Sequence, residues 1–272
     1  MLAALDAGMP LSTAYDSPYR YRSAVYDGWA PSNASAAMTG RQTMWSGFGK
    51  SVNTYFVQLE EKVGADQAVR LAERLGLRWR TDVDRSQASP ERVKKWGSFT
   101  LGVSDATPLE MANAYAAIAA DGRYCEAIPV LSITTREGAP ATYRTASGIE
   151  QEVAKPRCRQ AVDPDAARCP TGDTPARGTC GGWSTADSVR KTVGRPVAGK
   201  TGTTDSTRSA WFAGYTPELA AASFIADPDN PFNAVGDAQS QKPVNSVAET
   251  LRDALKGQPV RQFSAPSDRM VG

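Results

Sequence analysis

The order of the secondary-structure patterns along the 272 residues predicts an α+β fold. Helical periodicity dominates residues 1–122, and strand-type composition appears late, between residues 191 and 226. A further amphipathic helical pattern covers residues 245–256. No internal repeat interrupts this order. Helices followed by strands favour a layered arrangement, in which helices pack on a small antiparallel sheet.

Two helical regions account for most of the first part of the chain. Residues 44–77 are mostly helical by apolar spacing, and a short apolar pattern at residues 1–7 predicts a further two turns. The clearest helix begins at Pro108, with Thr107 as its capping residue, and ends before Gly122. These positions define helix starts and stops by local chemistry alone.

A strand is predicted over residues 197–204, and it carries Lys200, Thr201 and Gly202 on a sheet edge. Gly202 has no side chain to block the approach of a ligand backbone to this edge. Strand patterns over residues 210–215 and 219–226 predict an antiparallel meander. An ordinary edge strand with a solvated lysine would give the same local pattern.

Residues 194–201 also match the phosphate-binding pattern G-x-x-x-x-G-K-[ST]. That loop binds nucleotide when a buried strand precedes it and a helix follows it. Here residues 185–193 are too polar for a central strand, and residues 210–215 have strand composition. A nucleotide hydrolase is therefore a minor alternative, which magnesium-dependent ATP binding would support.

Composition excludes several classes of function. The net charge is +2, so the chain lacks the general basic field of a nucleic-acid-binding protein. No apolar run is long enough to span a bilayer. The chain has no histidine, which excludes a Ser-His-Asp triad and every histidine-containing metal site. In an acyl-transfer enzyme of this composition, lysine or a carboxylate must move the protons.

The four cysteines occur in the loop-rich middle third of the chain. None form a C-x-x-C pair, so neither zinc nor another metal is expected. Two disulfides, Cys125–Cys158 and Cys169–Cys180, are the favoured pairing of three possible connectivities. Disulfides would indicate an oxidising compartment, and four free thiols in a cytoplasmic protein are the alternative.

The remaining segments are predicted to be less regular. Residues 78–98 form a charged connector, and residues 130–143 form a hairpin. Residues 145–190 are predicted loops, and residues 258–272 a frayed tail. Asn33 begins a match to the glycosylation acceptor pattern, to which no role is given.

Ser51-Val-Asn53 and, much later, Lys200-Thr-Gly202 are two short motifs of the sequence. They resemble the second and third active-site motifs of penicillin-binding proteins. Ser51 also precedes a predicted helix, where capping would explain it. Longer stretches, namely residues 49–60, 100–115 and 197–204, resemble the transpeptidase domain of class A bifunctional members, most closely those of actinobacteria.

The resemblance extends from residue 1 to about residue 262 and implies a serine β-lactamase/transpeptidase-like fold. The sheet would be incomplete, and residues 263–272 would form a flexible tail. The implied parts are a mainly helical part (1–122), a hairpin with disulfide loops (123–190), and sheet strands with a C-terminal helix (191–257).

The resemblance also implies roles for the motif residues. In the family, the serine of a Ser-x-x-Lys motif attacks the penultimate D-Ala carbonyl of a peptidoglycan stem peptide. By position, Ser51 and Lys200 would relay a proton towards the departing nitrogen, and Asn53 would hydrogen-bond the substrate amide. The Thr201 and Thr203 hydroxyls would hold the terminal carboxylate. The Thr203 backbone N–H would form half of the oxyanion hole.

One motif of the family pattern is missing from the sequence. No Ser-x-x-Lys precedes Ser51, and Ser188-Val-Arg-Lys191 matches the letters only after it, in a predicted loop. The chain is therefore expected to be a C-terminal fragment that lacks the nucleophile, a glycosyltransferase domain and a membrane anchor, and to be inactive alone. Residues 163–169 also depart from the family, which has a longer helix there.

The resemblance further implies a location and partners. The parent enzyme would act on the extracytoplasmic face of the cell membrane, on stem peptides and lipid II-derived glycan strands. β-Lactams would mimic the substrate, and no cofactor is expected. A non-catalytic module that binds stem peptides is the second alternative, and reversible β-lactam binding without acylation would favour it.

Overall fold

The computed structural model describes residues 1–151, 153, 155–169 and 183–272. The helices within these residues are α1 (Leu2–Asp6), α2 (Met44–Gly49), α3 (Asn53–Val63), α4 (Ala65–Arg74), α5 (Asp82–Gln87), α6 (Pro108–Ala119), α7 (Pro164–Ala167), α8 (Ser188–Val193), α9 (Lys242–Ala254) and α10 (Asp268–Val271). The strands are β1 (Ala14–Ser17), β2 (Gly40–Thr43), β3 (Arg123–Cys125), β4 (Tyr143–Arg144), β5 (Glu150–Gln151), β6 (Cys158–Gln160), β7 (Ala198–Thr203), β8 (Ser209–Tyr215) and β9 (Ala220–Ala226).

A three-stranded antiparallel sheet forms one part of the fold, in the order β7-β8-β9. Phe212 on β8 is buried in an apolar cluster with residues of α8 and α9. Tyr215 contacts Tyr115 of α6, with ring centroids 5.8 Å apart. Since side chains alternate across a strand, α6 and α9 cover opposite faces of the sheet. The predicted α+β class and the meander are confirmed, and β7 lies at the sheet edge.

The helical part is built around a second apolar core. α1 contacts α3, α4 and α7, and Leu5, Tyr55 and Leu59 are buried between them. The Tyr55 hydroxyl also donates a hydrogen bond to the Thr13 carbonyl, at 2.8 Å. This packing gives α3, and the turn that precedes it, a rigid support.

The predicted helix after Thr107 is confirmed in detail. Thr107 and Glu110 form a capping box, in which each side chain bonds the other residue's backbone N–H. Gly122, with a φ of +81°, follows the helix in a conformation that favours glycine. The helix predicted at residues 245–256 is α9, which begins slightly earlier, at Lys242.

Two segments predicted as irregular contain short helices. α5 lies within the charged connector, and α7 lies within the predicted cysteine loops. Thr81 caps α5, and Asp163 caps α7, which has Pro164 in its first turn. These helices depend on caps rather than on an apolar stripe, so the apolar periodicity used for prediction does not detect them.

The hairpin predicted at residues 130–143 is reduced to a single bridge. Thr134 pairs with Pro140, whereas Tyr143 pairs with Gln151 across β4 and β5. The second of these pairings falls in a segment predicted as loop. The predicted turn at residues 136–138 is present, since the Thr135 N–H donates to the Ala139 carbonyl at 2.8 Å and the Ala141 N–H to the Ile133 carbonyl at 2.9 Å.

The prediction of a frayed tail is wrong. α10 lies near the end of the chain, and its Met270 and Val271 side chains are buried. The Leu11 N–H donates to the Met270 carbonyl at 2.8 Å, and the Ser12 N–H donates to that of Val271. Because Met270 completes the core of the helical part, burial of apolar surface holds this segment in place.

One of the two predicted disulfides is present. Cys125 and Cys158 are directly opposite in the β3–β6 pair and are bonded. Cys169 is instead a buried free thiol, which donates to the Asp165 carbonyl at 3.5 Å at the end of α7. The predicted Cys169–Cys180 bond involves Cys180, which lies outside the described residues. No helix in the described ranges is long and apolar enough to cross a membrane.

Candidate active site

Ser51 occupies the turn that ends α2. Its N–H donates to the Phe48 carbonyl at 3.1 Å, and the next N–H, of Val52, donates to the Gly47 carbonyl at 2.8 Å. This pair of bonds is a Schellman motif, with Ser51 in the left-handed position at a φ of 59°. Ser51 does not cap α3, so the capping explanation is wrong. Its backbone is strained, as is common at functional sites.

Lys200 on β7 meets Ser51 across 149 residues of sequence. Its Nζ donates to the Ser51 Oγ at 2.8 Å and to the Thr201 carbonyl at 2.8 Å. The Nζ also lies 5.7 Å from the centroid of the Phe48 ring. Burial lowers the pKa of Lys200 from 10.5 to about 8. An amine with this pKa can hold or release a proton near neutral pH, in contact with a hydroxyl.

Asn53 is the first residue of α3, two positions after Ser51. Its Nδ2 donates to the Ser32 carbonyl at 2.9 Å, which holds the side-chain amide against the loop before β2. The structure therefore places Asn53 beside the Ser51 turn, with its side-chain amide held by the Ser32 carbonyl.

Asn33 supports this arrangement. The sequence did not predict this role for it. Its Oδ1 accepts the Thr54 N–H at 3.0 Å, and its Nδ2 donates to the Thr54 hydroxyl at 3.0 Å. The same Nδ2 donates to the Pro18 and Met38 carbonyls. Asn33 is only 3% exposed, so the glycosylation pattern that it begins is inaccessible in the folded chain.

The open edge of β7 carries the remaining predicted residues. The Thr204 N–H donates to the Ser209 carbonyl on β8. Because bonds alternate along an antiparallel pair, the Thr203 N–H points away from β8, to the open edge. An added Cβ at Gly202 would make an ordinary contact with the Cβ of Trp211, at 3.4 Å, so packing within the chain does not require glycine at this position. The edge therefore offers a backbone donor beside Lys200.

Thr185 joins the two walls of the cleft and was also missed. Its N–H donates to the Gly49 carbonyl at 3.1 Å, and its hydroxyl lies 2.7 Å from that of Thr201. Thr185 lies within a turn in which the Ser184 N–H and hydroxyl both donate to Asp187. The local spacing of Ser184 and Asp187 could have indicated an ordered turn here.

The structure is incompatible with a phosphate-binding loop at residues 194–201. The segment runs from helix α8 into strand β7, which is the reverse of the order that such a loop requires. Ser188 and Lys191 lie on α8 rather than in the predicted loop, so that prediction is corrected. Over the described part of the chain, no group of three or more His, Cys, Asp or Glu side chains could hold a metal ion.

Comparison with known sequences identifies one family. The penicillin-binding protein transpeptidase domain matches residues 1–252. Penicillin-binding protein 1A of Aquifex aeolicus is 28% identical over 224 residues, which are 80% of this chain and 27% of that protein. Penicillin-binding protein 1A of Neisseria lactamica is 28% identical over 279 residues, 99% of this chain and 32% of that protein. The chain thus spans about a third or less of these relatives.

Comparison with solved structures identifies the same fold. Penicillin-binding protein 1A from Haemophilus influenzae superposes with a TM-score of 0.73 at 22% identity, over 97% of this chain and 42% of that chain. PonA1 from Mycobacterium tuberculosis, solved in complex with penicillin V, superposes with a TM-score of 0.72 at 22% identity. That match covers 98% of this chain and 69% of PonA1.

Proposed function

The chain belongs to the penicillin-binding protein transpeptidase domain family, and on this basis we propose that it forms the ligand-binding and proton-relay part of a serine acyl-transfer site. The whole protein would cross-link peptidoglycan stem peptides through an acyl-enzyme, with β-lactams as substrate mimics. The hydrogen bond between Lys200 and Ser51 carries the proposal.

Proton relay follows from the chemistry of this pair. A hydroxyl both donates and accepts, so Ser51 can take a proton from Lys200 and pass one to a departing nitrogen. Lys200, with its pKa near 8, changes protonation state at little free-energy cost near neutral pH. In a chain without histidine, this pair supplies the acid–base function that other acyl-transfer enzymes take from imidazole.

Substrate binding follows from the edge of β7. A peptide lying along this edge would meet the Thr203 N–H, where a developing oxyanion would be stabilised. The Thr201 and Thr203 hydroxyls would bind its terminal carboxylate, assisted by the positive charge of Lys200. Asn53, held by Ser32, would hydrogen-bond the substrate amide.

The acylated serine is proposed to lie outside the residues of this sequence. No Ser-x-x-Lys precedes Ser51, and the later match at Ser188 lies on α8. The chain alone should therefore bind a β-lactam reversibly, without a covalent bond. The Cys125–Cys158 disulfide supports an extracytoplasmic location for the domain.

A fluorescent penicillin tests both parts of the proposal. We expect saturable binding by fluorescence anisotropy and no labelled band on a denaturing gel. Lys200→Ala should weaken binding by about tenfold or more, since it removes a charge that assists the carboxylate. Lys191→Ala, an exposed lysine on α8, is the matched control and should change nothing.

Two kinds of result would overturn parts of the proposal. A covalent adduct on the natural chain would overturn the assignment of the nucleophile outside this sequence, and its loss in Ser51→Ala or Ser188→Ala would locate the acylated residue. Absence of saturable binding, or equal binding by Lys200→Ala, would overturn the ligand site on β7.

A further inference from the structure

We infer that Thr185 is a positioning residue that orients the Thr201 hydroxyl towards a ligand carboxylate. The inference rests on the proposed function, because it assigns a role within the same cleft. Thr185 belongs to none of the motifs in the sequence. Its role follows from two contacts, one with the helical part of the fold and one with the edge strand β7.

The first contact links Thr185 to the helical part of the fold. Its backbone N–H donates to the carbonyl of Gly49, the last residue of α2, at 3.1 Å. Gly49 lies two residues before Ser51, in the helix whose last turn places the Ser51 hydroxyl. The position of Thr185 is therefore tied to the wall of the cleft that carries Ser51.

The second contact links Thr185 to the edge strand. Its hydroxyl oxygen lies 2.7 Å from that of Thr201, and either can donate. Together with the Ser51–Lys200 hydrogen bond, this gives two links between the α2 turn and β7. Thr201 is thus held relative to Ser51 by hydrogen bonds on both sides of the cleft.

When a carboxylate binds, the number of protons on the two hydroxyls determines which of them donates in the Thr185–Thr201 hydrogen bond. Each hydroxyl has one proton, and an ionised carboxylate can only accept. If the Thr185 hydroxyl donates to Thr201, the Thr201 proton is free for the carboxylate. A bound carboxylate selects this arrangement, and successive hydrogen bonds polarise one another and strengthen the last.

The test compares two ligands and two variants. The ligands are a short peptide ending in D-Ala-D-Ala and the same peptide with a C-terminal amide, titrated by NMR up to millimolar concentrations. Thr185→Val keeps the shape and the N–H but removes the hydroxyl, and Thr185→Ser keeps the hydroxyl. We expect Thr185→Val to weaken the carboxylate peptide about three- to tenfold, the factor for one hydrogen bond. Binding of the amide peptide should not change, and Thr185→Ser should bind both peptides as the natural chain does.

Several results would overturn the inference. These are equal weakening of both peptides by Thr185→Val, no weakening at all, or the same loss in Thr185→Ser. Each would show that the Thr185 hydroxyl does not direct Thr201 towards the carboxylate.

If the proposed function is wrong, the binding experiments give a different set of results. If the natural chain does not bind the carboxylate peptide, or Lys200→Ala binds it equally, the proposed site is wrong. The Thr185–Thr201 contact itself is then tested without ligand, by hydrogen exchange of the Thr185 amide. Exchange should be several-fold faster in Thr201→Val than in Thr201→Ser or the natural chain, and equal rates would overturn the coupling.

Discussion

The Asn33–Thr54 cluster and the Ser51–Lys200 pair both adjoin the start of α3, and they use polar groups in opposite ways. Asn33 is fully buried, and both ends of its amide are hydrogen-bonded. Ser51 has a left-handed backbone, and Lys200 is partly buried with a lowered pKa. In the first region, both ends of the buried amide are hydrogen-bonded. In the second, the Ser51 backbone is strained and burial destabilises the charged form of Lys200.

The comparison indicates that the two regions have different roles, one in stability and the other in chemistry. A buried, fully bonded amide specifies one arrangement of the chain and contributes to stability. A strained turn and a displaced pKa reduce stability but prepare groups for chemistry. The hydrogen bonds of Asn33 thus fix the first turn of α3 at Thr54, the residue after Asn53.

Removal of the Asn33 amide should give the largest effect. Asn33→Ala leaves the Thr54 N–H buried without a partner and breaks the bonds to the Pro18 and Met38 carbonyls. We expect the free energy of unfolding, measured with urea, to fall by about 3 kcal/mol. Ser35→Ala, an exposed change in the same loop, should stay within about 0.5 kcal/mol. A loss below about 1 kcal/mol in Asn33→Ala would contradict the comparison.

Glu60 tests whether hydrogen bonding, rather than burial alone, decides whether a buried polar group stabilises or destabilises the fold. It is also buried on α3, and among the described residues neither carboxylate oxygen has a partner with full hydrogen-bond geometry, although Tyr26 and the Thr100 backbone lie close enough to favour its charged form. Burial raises its pKa from 4.5 to about 8, against the opposing charge of the Met1 amino group. Tyr26 and Glu61 also face it. The folded state therefore binds an extra proton between these pH values, and stability falls as the pH rises from 4.5 to 8.

The variant Glu60→Gln removes this carboxyl together with its electrostatic coupling to the Met1 amino group. The variant should gain on the order of 3 kcal/mol in unfolding free energy, relative to the natural chain, between pH 5 and pH 8. Glu249→Gln, on the exposed surface of α9, is the control and should show no such change. A pH-independent difference for Glu60→Gln would mean that this carboxyl ionises as freely in the folded state as in the unfolded state.

The pKa of Lys200 predicts the pH dependence of ligand binding. The ammonium group is present below about pH 8 and is lost above it, so affinity for a peptide carboxylate should fall as the pH rises through that value. NMR titrations between pH 6.5 and 9.5 should show a decrease of about tenfold. Lys200→Arg keeps its charge throughout this range, and its profile should be flat. An equally steep profile in the arginine variant would assign the titration to another group.

The smallest expected effect is a gain in stability at Ser51. Glycine adopts the left-handed conformation without the penalty of a Cβ, so Ser51→Gly should raise the unfolding free energy by about 1 kcal/mol. The same change removes the hydroxyl next to Lys200 and should weaken binding of fluorescent penicillin. Ser51→Ala should weaken binding without the gain in stability. If Ser51→Gly is no more stable than Ser51→Ala, the strain assigned to this turn is absent.

The sequence by itself determined the elements whose signals lie within a few residues of one another. These include α6 with its Thr107 capping box, the meander that contains Lys200, and the family to which the chain belongs. Capping, turns and alternation depend on neighbouring residues, so the chain order contains their information. The chain order also places Ser51 and Lys200 in motifs, although it leaves open whether they meet.

Only the tertiary structure decided what those residues do. It placed Ser51 in a left-handed turn rather than at a helix cap, and in contact with Lys200. It also revealed Thr185 and Asn33 as neighbours of the site, and buried Met270 at the end of the chain. Apart from the local turn at Ser51, these contacts join residues far apart in sequence, and burial of the two apolar cores brings them together. No local pattern encodes that juxtaposition, because packing of the whole chain determines it.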